Sequence, residues 1–337
     1  MRFWLGALLG AIVVVGIAIA GLSYAYWNQT VLIGSMAINY VRYWSAPAGT
    51  LETEVAQTGA AAQPSASTAS ASPQTTPGGT EGDWPSYNKT LTSNRFSHLS
   101  QINRTNADKL KVLCTYDTRQ YTGFNSGLLE MNGALIFVTA FDIFSIDPST
   151  CRENWRTHED YVPATPQEVN RGAAYLDGML FRGTQDARVL AYDFKTGKRI
   201  WETAIGDPKK GESAPAAPIA WNGLVFIGNA GGDIKGVKGR MYALDAKTGK
   251  IEWEFYLVPK AEGDPTRGPL GASPLNTSTW GNSQGVPITG GATWTSYTLD
   301  PDTGLLYVPG GNPAPDFATD VREGSNLYSG WSSSSRR

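Results

Sequence analysis

Residues 240–255, RMYALDAKTGKIEWEF, read as a strand, a tight turn and a second strand. Met241, Ala243 and Asp245 alternate with Tyr242 and Leu244, and Ile251 and Trp253 lie on the return strand. The turn chemistry is explicit. Asp245 is placed to accept hydrogen bonds from backbone N–H groups and from Thr248, and Gly249 takes the positive φ that closes a type I turn plus bulge. Trp253 then offers a broad apolar face to a neighbouring layer, with one N–H that needs a partner.

The same frame occurs twice more, from Asp147 to Trp155 and from Asp193 to Trp201, each tryptophan eight residues after its aspartate. A weaker fourth copy, Asp300-Pro301-Asp302-Thr303-Gly304, ends in Tyr307. The four aspartates fall at intervals of 46, 52 and 55 residues. One such turn in every ~40–50 residues is the signature of a β-propeller, one four-stranded blade per repeat. Three unrelated hairpins would not share one tryptophan spacing.

Composition agrees with an all-β protein. Of 337 residues 41% are apolar, enough for a core, and 38 Gly, 20 Pro, 11 Trp and 15 Tyr suit a turn-rich chain better than a helical one. The net charge is −2 with no basic run, so nucleic acid is not an implied partner. His98 and His158 stand far apart, which argues against a histidine metal cluster, and two cysteines rule out a zinc ribbon.

The amino-terminal region is organised differently. Residues 3–27, FWLGALLGAIVVVGIAIAGLSYAYW, carry no charge and are long enough to cross a bilayer, which takes about 20 residues. We expect residues 1–30 to form a transmembrane anchor or an uncleaved signal, since residues 21–27 stay apolar where a cleavage region turns polar. Arg2, the flanking charge, places the remainder outside the cytoplasm, hence an inner-membrane protein facing the periplasm. Residues 31–44 are apolar but too short to span, and fit the membrane interface. Residues 45–82, Ala, Ser, Thr, Pro and Gly with a few Glu, read as a disordered tether. Residues 83–337 are the globular part.

That part repeats one plan: an apolar first strand, a glycine-marked turn, an apolar second strand, then the hairpin ending in Trp. Blade one is expected at residues 127–157, blade two at 171–204 and blade three at 217–257. Blade four starts at Trp294, and LLYVPGG gives it a further strand. Its third and fourth strands are not legible, and the serine run after Trp331 has no strand pattern. LKVLCTYDT, residues 110–118, reads as a lone strand without a blade of its own. The count is therefore about three and a half blades, with two faces uncovered, as in the front part of a longer ring or in one of two paired copies. Cys114 lies in the lone strand and Cys151 stands at the turn glycine of the first repeat. Outside the cytoplasm a bridge between them is expected, against the alternative of two buried thiols.

The repeats, the opening Trp84…Arg95-Phe96-Ser97…Leu99 and a set of loop motifs resemble the quinoprotein alcohol dehydrogenases. The motifs are Val169-Asn170-Arg171-Gly172, Gly228-Asn229-Ala230-Gly231-Gly232-Asp233, Gly290-Gly291-Ala292-Thr293-Trp294 and Gly310-Gly311-Asn312-Pro313. The resemblance covers residues 83–327, about the front half of such an enzyme. It implies an eight-bladed propeller of the quinoprotein type, here truncated, binding pyrroloquinoline quinone (PQQ) and a calcium or lanthanide ion on its axis. It also implies oxidation of a small-molecule alcohol by hydride transfer to the quinone, with an electron acceptor such as cytochrome c or ubiquinone. By the same resemblance Trp294 forms the floor beneath the quinone, Arg171 pairs with the cofactor and its carboxylates, and Asn312 gives an amide oxygen to the metal. Asp233 stands where the family has a metal-binding glutamate, one methylene shorter.

Other positions depart from the family. Its adjacent cysteine pair falls at Thr165-Pro166, a cofactor-facing glutamate aligns with Asn125, and two threonines align with Pro215 and Ala292. The family's catalytic aspartate lies in a later blade, so no catalytic base is assigned in this chain. The 337 residues alone are expected to lack dehydrogenase activity. The competing reading is a propeller that binds no quinone and serves as a scaffold for envelope proteins.

Overall fold

Four Asp-centred turns organise the strands. Asp245 Oδ1 accepts from the Thr248 backbone N–H at 2.8 Å and from its hydroxyl at 2.7 Å. Asp193 does the same with Thr196 at 2.8 and 2.7 Å, and Asp147 with the Ser149 amide and hydroxyl at 2.8 and 2.6 Å. Gly197, Gly249 and Gly304 take φ of 68°, 73° and 69°, and Cys151 reaches 54° at the equivalent place. This is the left-handed region that glycine enters without steric cost. The turns therefore form as their sequence dictates.

The computed structural model describes residues 82–120, 123–164, 168–233, 236–271, 277–281, 285–316, 322–330 and 332–335. The expected anchor, the interfacial segment and the tether up to residue 81 lie outside them, as do Thr165 and Pro166. Among the described residues no helix is long and apolar enough to cross a membrane. Residues 82–117 and the chain from Gly123 onward belong to one compact unit.

The first blade comprises β1 (Leu129–Met131), β2 (Ala134–Val138), β3 (Asp142–Ile146) and β4 (Glu153–His158), and the second β5 (Ala174–Leu176), β6 (Met179–Gly183), β7 (Arg188–Asp193) and β8 (Arg199–Ala204). The third comprises β9 (Ile219–Trp221), β10 (Leu224–Gly228), β11 (Arg240–Asp245) and β12 (Ile251–Tyr256), and the fourth β13 (Thr298–Asp300), β14 (Leu305–Pro309) and β15 (Ser332–Ser335). Each sheet is an antiparallel meander in chain order. All of this is the expected propeller pattern of short strands with buried faces.

Two expectations are corrected. The serine run does form a strand: β15 pairs with β14, Ser334 opposite Tyr307 and Ser332 opposite Pro309, which gives the fourth blade three strands among the described residues. A ladder needs only backbone N–H and C=O groups, which serine supplies as well as valine does. Conversely, the segment beginning at Leu110 is not a strand, because among the described residues no ladder partner lies beside it. It runs extended after a short 3-10 turn at Ala107–Lys109 and is held by its side chains. Tyr116 packs edge-on against Phe137 and Phe144, each centroid 5.7 Å away. The expected Cys114–Cys151 disulfide is present, with Cα atoms 5.9 Å apart.

The blades are locked by the repeated tryptophans. In each complete blade the third and fourth strands carry a bulge just before Trp, at Ser145/Ile146, Ala191/Tyr192 and Ala243/Leu244. A bulge twists and re-aims the residue after it. Trp155 thereby donates its N–H to the Phe194 carbonyl of the next blade's turn at 3.0 Å, and Trp201 donates to Ala246 at 2.9 Å. Thr157 and Thr203 donate their hydroxyls to the carbonyls of Gly197 and Gly249 at 2.7 and 2.6 Å. Between the blades lie apolar layers, Leu129, Ile136 and Ile143 against Leu180, Leu190 and Tyr192, then Phe181 and Ala191 against Ala220 and Val225. The third and fourth blades share Phe226, Met241, Leu299, Leu306 and Val308. These layers fix the inner loops that carry the candidate site.

Candidate functional site

The loops that precede β5, β9 and β13, and those that follow β10 and β14, meet one another through backbone hydrogen bonds. Gly127 N–H donates to Arg171 O at 2.8 Å, and Arg171 N–H to Pro215 O at 2.9 Å. Thr293 N–H donates to Asn229 O, and Gly311 N–H to Ala292 O, both at 2.9 Å. The glycines of these motifs are needed because backbone passes against backbone. A Cβ on Gly232 would stand 2.6 Å from Ala292 Cβ, and one on Gly290 would stand 2.4 Å from Asn312 O.

Buried polar groups hold the frame. Asn229 accepts from the Arg240 backbone N–H at 2.6 Å and donates to Lys238 O at 3.0 Å, which closes the long loop after β10. Arg240, 1% exposed, reaches the Glu212 carboxylate. Tyr297 accepts from Gly228 N–H at 2.9 Å, and burial pushes its phenol up to about 12.

Onto this frame the chain places two of the five expected site residues in direct contact and brings the loops of two more beside them. Arg171 Nε donates to Trp294 O at 2.9 Å, and its guanidinium lies 4.8 Å from the centroid of the Trp294 ring. That is a cation–π contact. Trp294 is nevertheless 45% exposed, so much of its indole is open for stacking. Gly311 is the spacer beside it: a Cβ there would lie 3.5 Å from Trp294 Nε1. Asn312 follows directly and is exposed, and Asp233, also exposed, follows Gly232, which packs against Ala292.

Asn125 is placed differently. It lines a cleft of about 530 Å³ with Trp84, Tyr87 and Arg95 that neither Trp294 nor Arg171 lines. Its link to the other residues is through the backbone, since Gly127 bonds to Arg171.

A residue outside the sequence reading joins the group. The loop that begins with Gly310 also carries Asp316, whose carboxyl interacts with that of Asp233. Burial first, and the Asp316 charge second, hold the Asp233 carboxyl above the usual carboxylate range. The signal available in the sequence was an acid four residues after Asn312 in the same loop. Among the described residues no cluster of three or more His, Cys, Asp or Glu side chains forms a metal site.

The fold defines a class, an antiparallel propeller whose blade-linking loops set a half-open indole against a guanidinium. The chain belongs to the PQQ family, matching the model for the "Glucose/ethanol/alcohol dehydrogenase, beta-propeller domain" over residues 84–331. It is 34% identical over 277 residues to the dehydrogenase subunit of the alcohol dehydrogenase (quinone) of Gluconobacter oxydans (strain 621H), covering 75% of this chain and 36% of the relative. It is 29% identical over 266 residues to the lanthanide-dependent methanol dehydrogenase of Methylacidiphilum fumariolicum (strain SolV), covering 74% of this chain and 43% of the relative. The quinohemoprotein alcohol dehydrogenase from Comamonas testosteroni superposes with a TM-score of 0.63 at 27% identity, over 75% of this chain and 41% of that one. The chain thus spans little more than a third of the length of curated relatives such as the Gluconobacter subunit.

Proposed function

We propose that this chain is the cofactor-binding portion of a PQQ-dependent alcohol dehydrogenase, anchored by residues 1–30 and working in the periplasm. The observation that carries the reading is the half-open Trp294 indole with Arg171 against it, in the loops that also bring Asp233 and Asn312.

The residues present fit the implied groups. Trp294 offers a flat apolar face for a flat ring system. Arg171 offers a planar donor set suited to carboxylates. Asp233 and Asn312 offer a carboxylate and an amide oxygen, the donors a hard cation such as calcium or a lanthanide selects. Gly311 leaves room beside the indole that a side chain would fill. Bound there, the quinone would supply a hydride acceptor for the alcohol and the cation a Lewis acid. The protein's part is to bind, orient and neutralise. Arg171, fixed through Trp294 O, is poised to offset carboxylate charge, and the buried frame of Asn229, Arg240 and Glu212 keeps the acidic loop in place. Relatives named for quinone or cytochrome c support one of these as electron acceptor.

Mixing the purified chain with PQQ and calcium, desalting it and recording the visible spectrum tests the reading. Wild type retains the chromophore, and Trp294→Ala binds at least ten times more weakly. A spectrum free of quinone, with folding intact, would favour the scaffold reading, to which the Asp at 233 and Asn at 125 already point.

A further inference from the structure

We infer that Asp316 is a second carboxylate ligand, acting with Asp233, for a hard cation at the inner loops. The inference rests on the functional reading above, in which a cation sits beside Asp233 and Asn312, and it adds a donor that the motif resemblance does not contain.

Three observations carry it. The carboxyls of Asp233 and Asp316 are in contact although they come from different blades, 83 residues apart in sequence. Oδ1 of Asp316 is shut off from solvent and no hydrogen-bond donor among the described residues reaches it. A buried carboxylate oxygen without a donor is costly, and a second carboxylate beside it adds repulsion. Among the described residues, nearby loop cations are engaged elsewhere. Arg322 donates to the carbonyls of Ala314, Val286 and Pro287, Lys238 pairs with Asp264 at 2.6 Å, and Arg240 pairs with Glu212. Arg171 is placed against Trp294.

The loop bearing Asp316 is also fixed in place. Gly291 N–H donates to Asn312 O at 2.9 Å, Ala314 N–H to Thr289 O at 3.1 Å, and Arg322 Nε to Ala314 O at 3.0 Å. Asn312 and Asp316 therefore flank one clamped segment, and the Asp316 carboxyl meets that of Asp233. Calcium-like ions take about 6–8 oxygen ligands and accept carboxylates and amides together. Asp233 has one methylene less reach than the glutamate of the motif it resembles. A second carboxylate from across the blade junction adds charge and makes up for the shorter reach without altering the frame.

Calorimetric titration of the quinone-free full chain with calcium chloride tests this, alongside thermal unfolding with and without calcium. Asp316→Asn and Asp233→Asn are each expected to weaken calcium binding at least tenfold, while Asp302→Asn in the exposed fourth turn leaves it unchanged. Without calcium, Asp316→Asn is expected to melt at or above the wild-type temperature, since it removes a like charge; with calcium it melts below. A merely structural aspartate would lower both. Wild-type affinity in Asp316→Asn, with loss in Asp233→Asn, sinks the inference and leaves the functional reading standing. Failure of the wild type to bind calcium or quinone sinks both.

Discussion

Gly249 and Gly304 hold the same place in their hairpins but face different neighbours. A Cβ on Gly249 would stand 2.5 Å from Trp201 Cε3, whereas one on Gly304 would meet nothing within 4 Å. Both have positive φ, 73° and 69°, so alanine pays the left-handed cost at either place, about 1–2 kcal/mol. At Gly249 it must also displace the indole and disturb the Thr203–Gly249 hydrogen bond, an overpacking cost of roughly 1–3 kcal/mol more. Urea unfolding of Gly304→Ala and Gly249→Ala is expected to show that difference; equal losses would mean the indole does not brace the turn. Cys151 completes the comparison. In the second and third blades this place lies under a tryptophan of the preceding blade, while in the first it faces Cys114 instead, so a Cβ is admissible there. The turn chemistry was legible from Asp, Thr and Gly alone because it is local. The indole pressing on each glycine was not, since it comes from a neighbouring blade.

The segment from Leu110 to Asp117 shows why element assignment stops at the sheet. Its alternation of apolar and polar residues is strand-like, yet a strand exists only with a ladder partner. Leu110, Val112 and Leu113 stay 62%, 75% and 57% exposed, while Tyr116 alone joins the aromatic layer of the first blade. β15 is the converse case, four serines made a strand by an available edge on β14. The bulges before Trp155, Trp201 and Trp253 were equally hidden, because one extra residue changes register without changing composition. With no ladder to hold it, the extended segment depends on its disulfide. The bridge closes 37 residues, for which chain entropy gives roughly 3–4 kcal/mol. Reductant is expected to lower Tm by about 6–15 °C for a domain of this size. An unchanged melting curve after verified reduction would show that side-chain packing alone secures the segment.

At the scale of the whole molecule, the site was legible where motifs are contiguous and illegible where blades meet. Trp294 and Arg171 lie 123 residues apart and are joined by a 2.9 Å hydrogen bond, while Asp316 becomes visible only once Asp233 stands beside it. Stability against pH rests on pairings within turns and between strands. Asp147, Asp193, Asp245 and Asp300 are held below the usual carboxylate range chiefly by the hydroxyls of their turns. Their folded values are depressed, so their contribution is present above about pH 4 and is lost as pH falls through the folded values. Glu130, raised by burial, works in the opposite sense and subtracts from that gain. His158 governs the other flank. Burial lowers its affinity for a proton, but the hydrogen bond and charge of Asp142, with Asp160 beyond, raise it above the ordinary value. Asp142 is wholly buried and accepts from Arg156 at 2.8 Å as well as meeting His158 at 3.2 Å. A raised histidine stabilises fully below about pH 6.5, and that contribution disappears as pH rises through the folded value. Melting curves recorded from pH 3 to pH 9 should therefore fall on both sides, with the alkaline fall abolished in His158→Gln. Should His158→Gln keep the full decline between pH 6 and pH 8, another group must titrate there and the Asp142–His158 pair is not what links the first blade to pH.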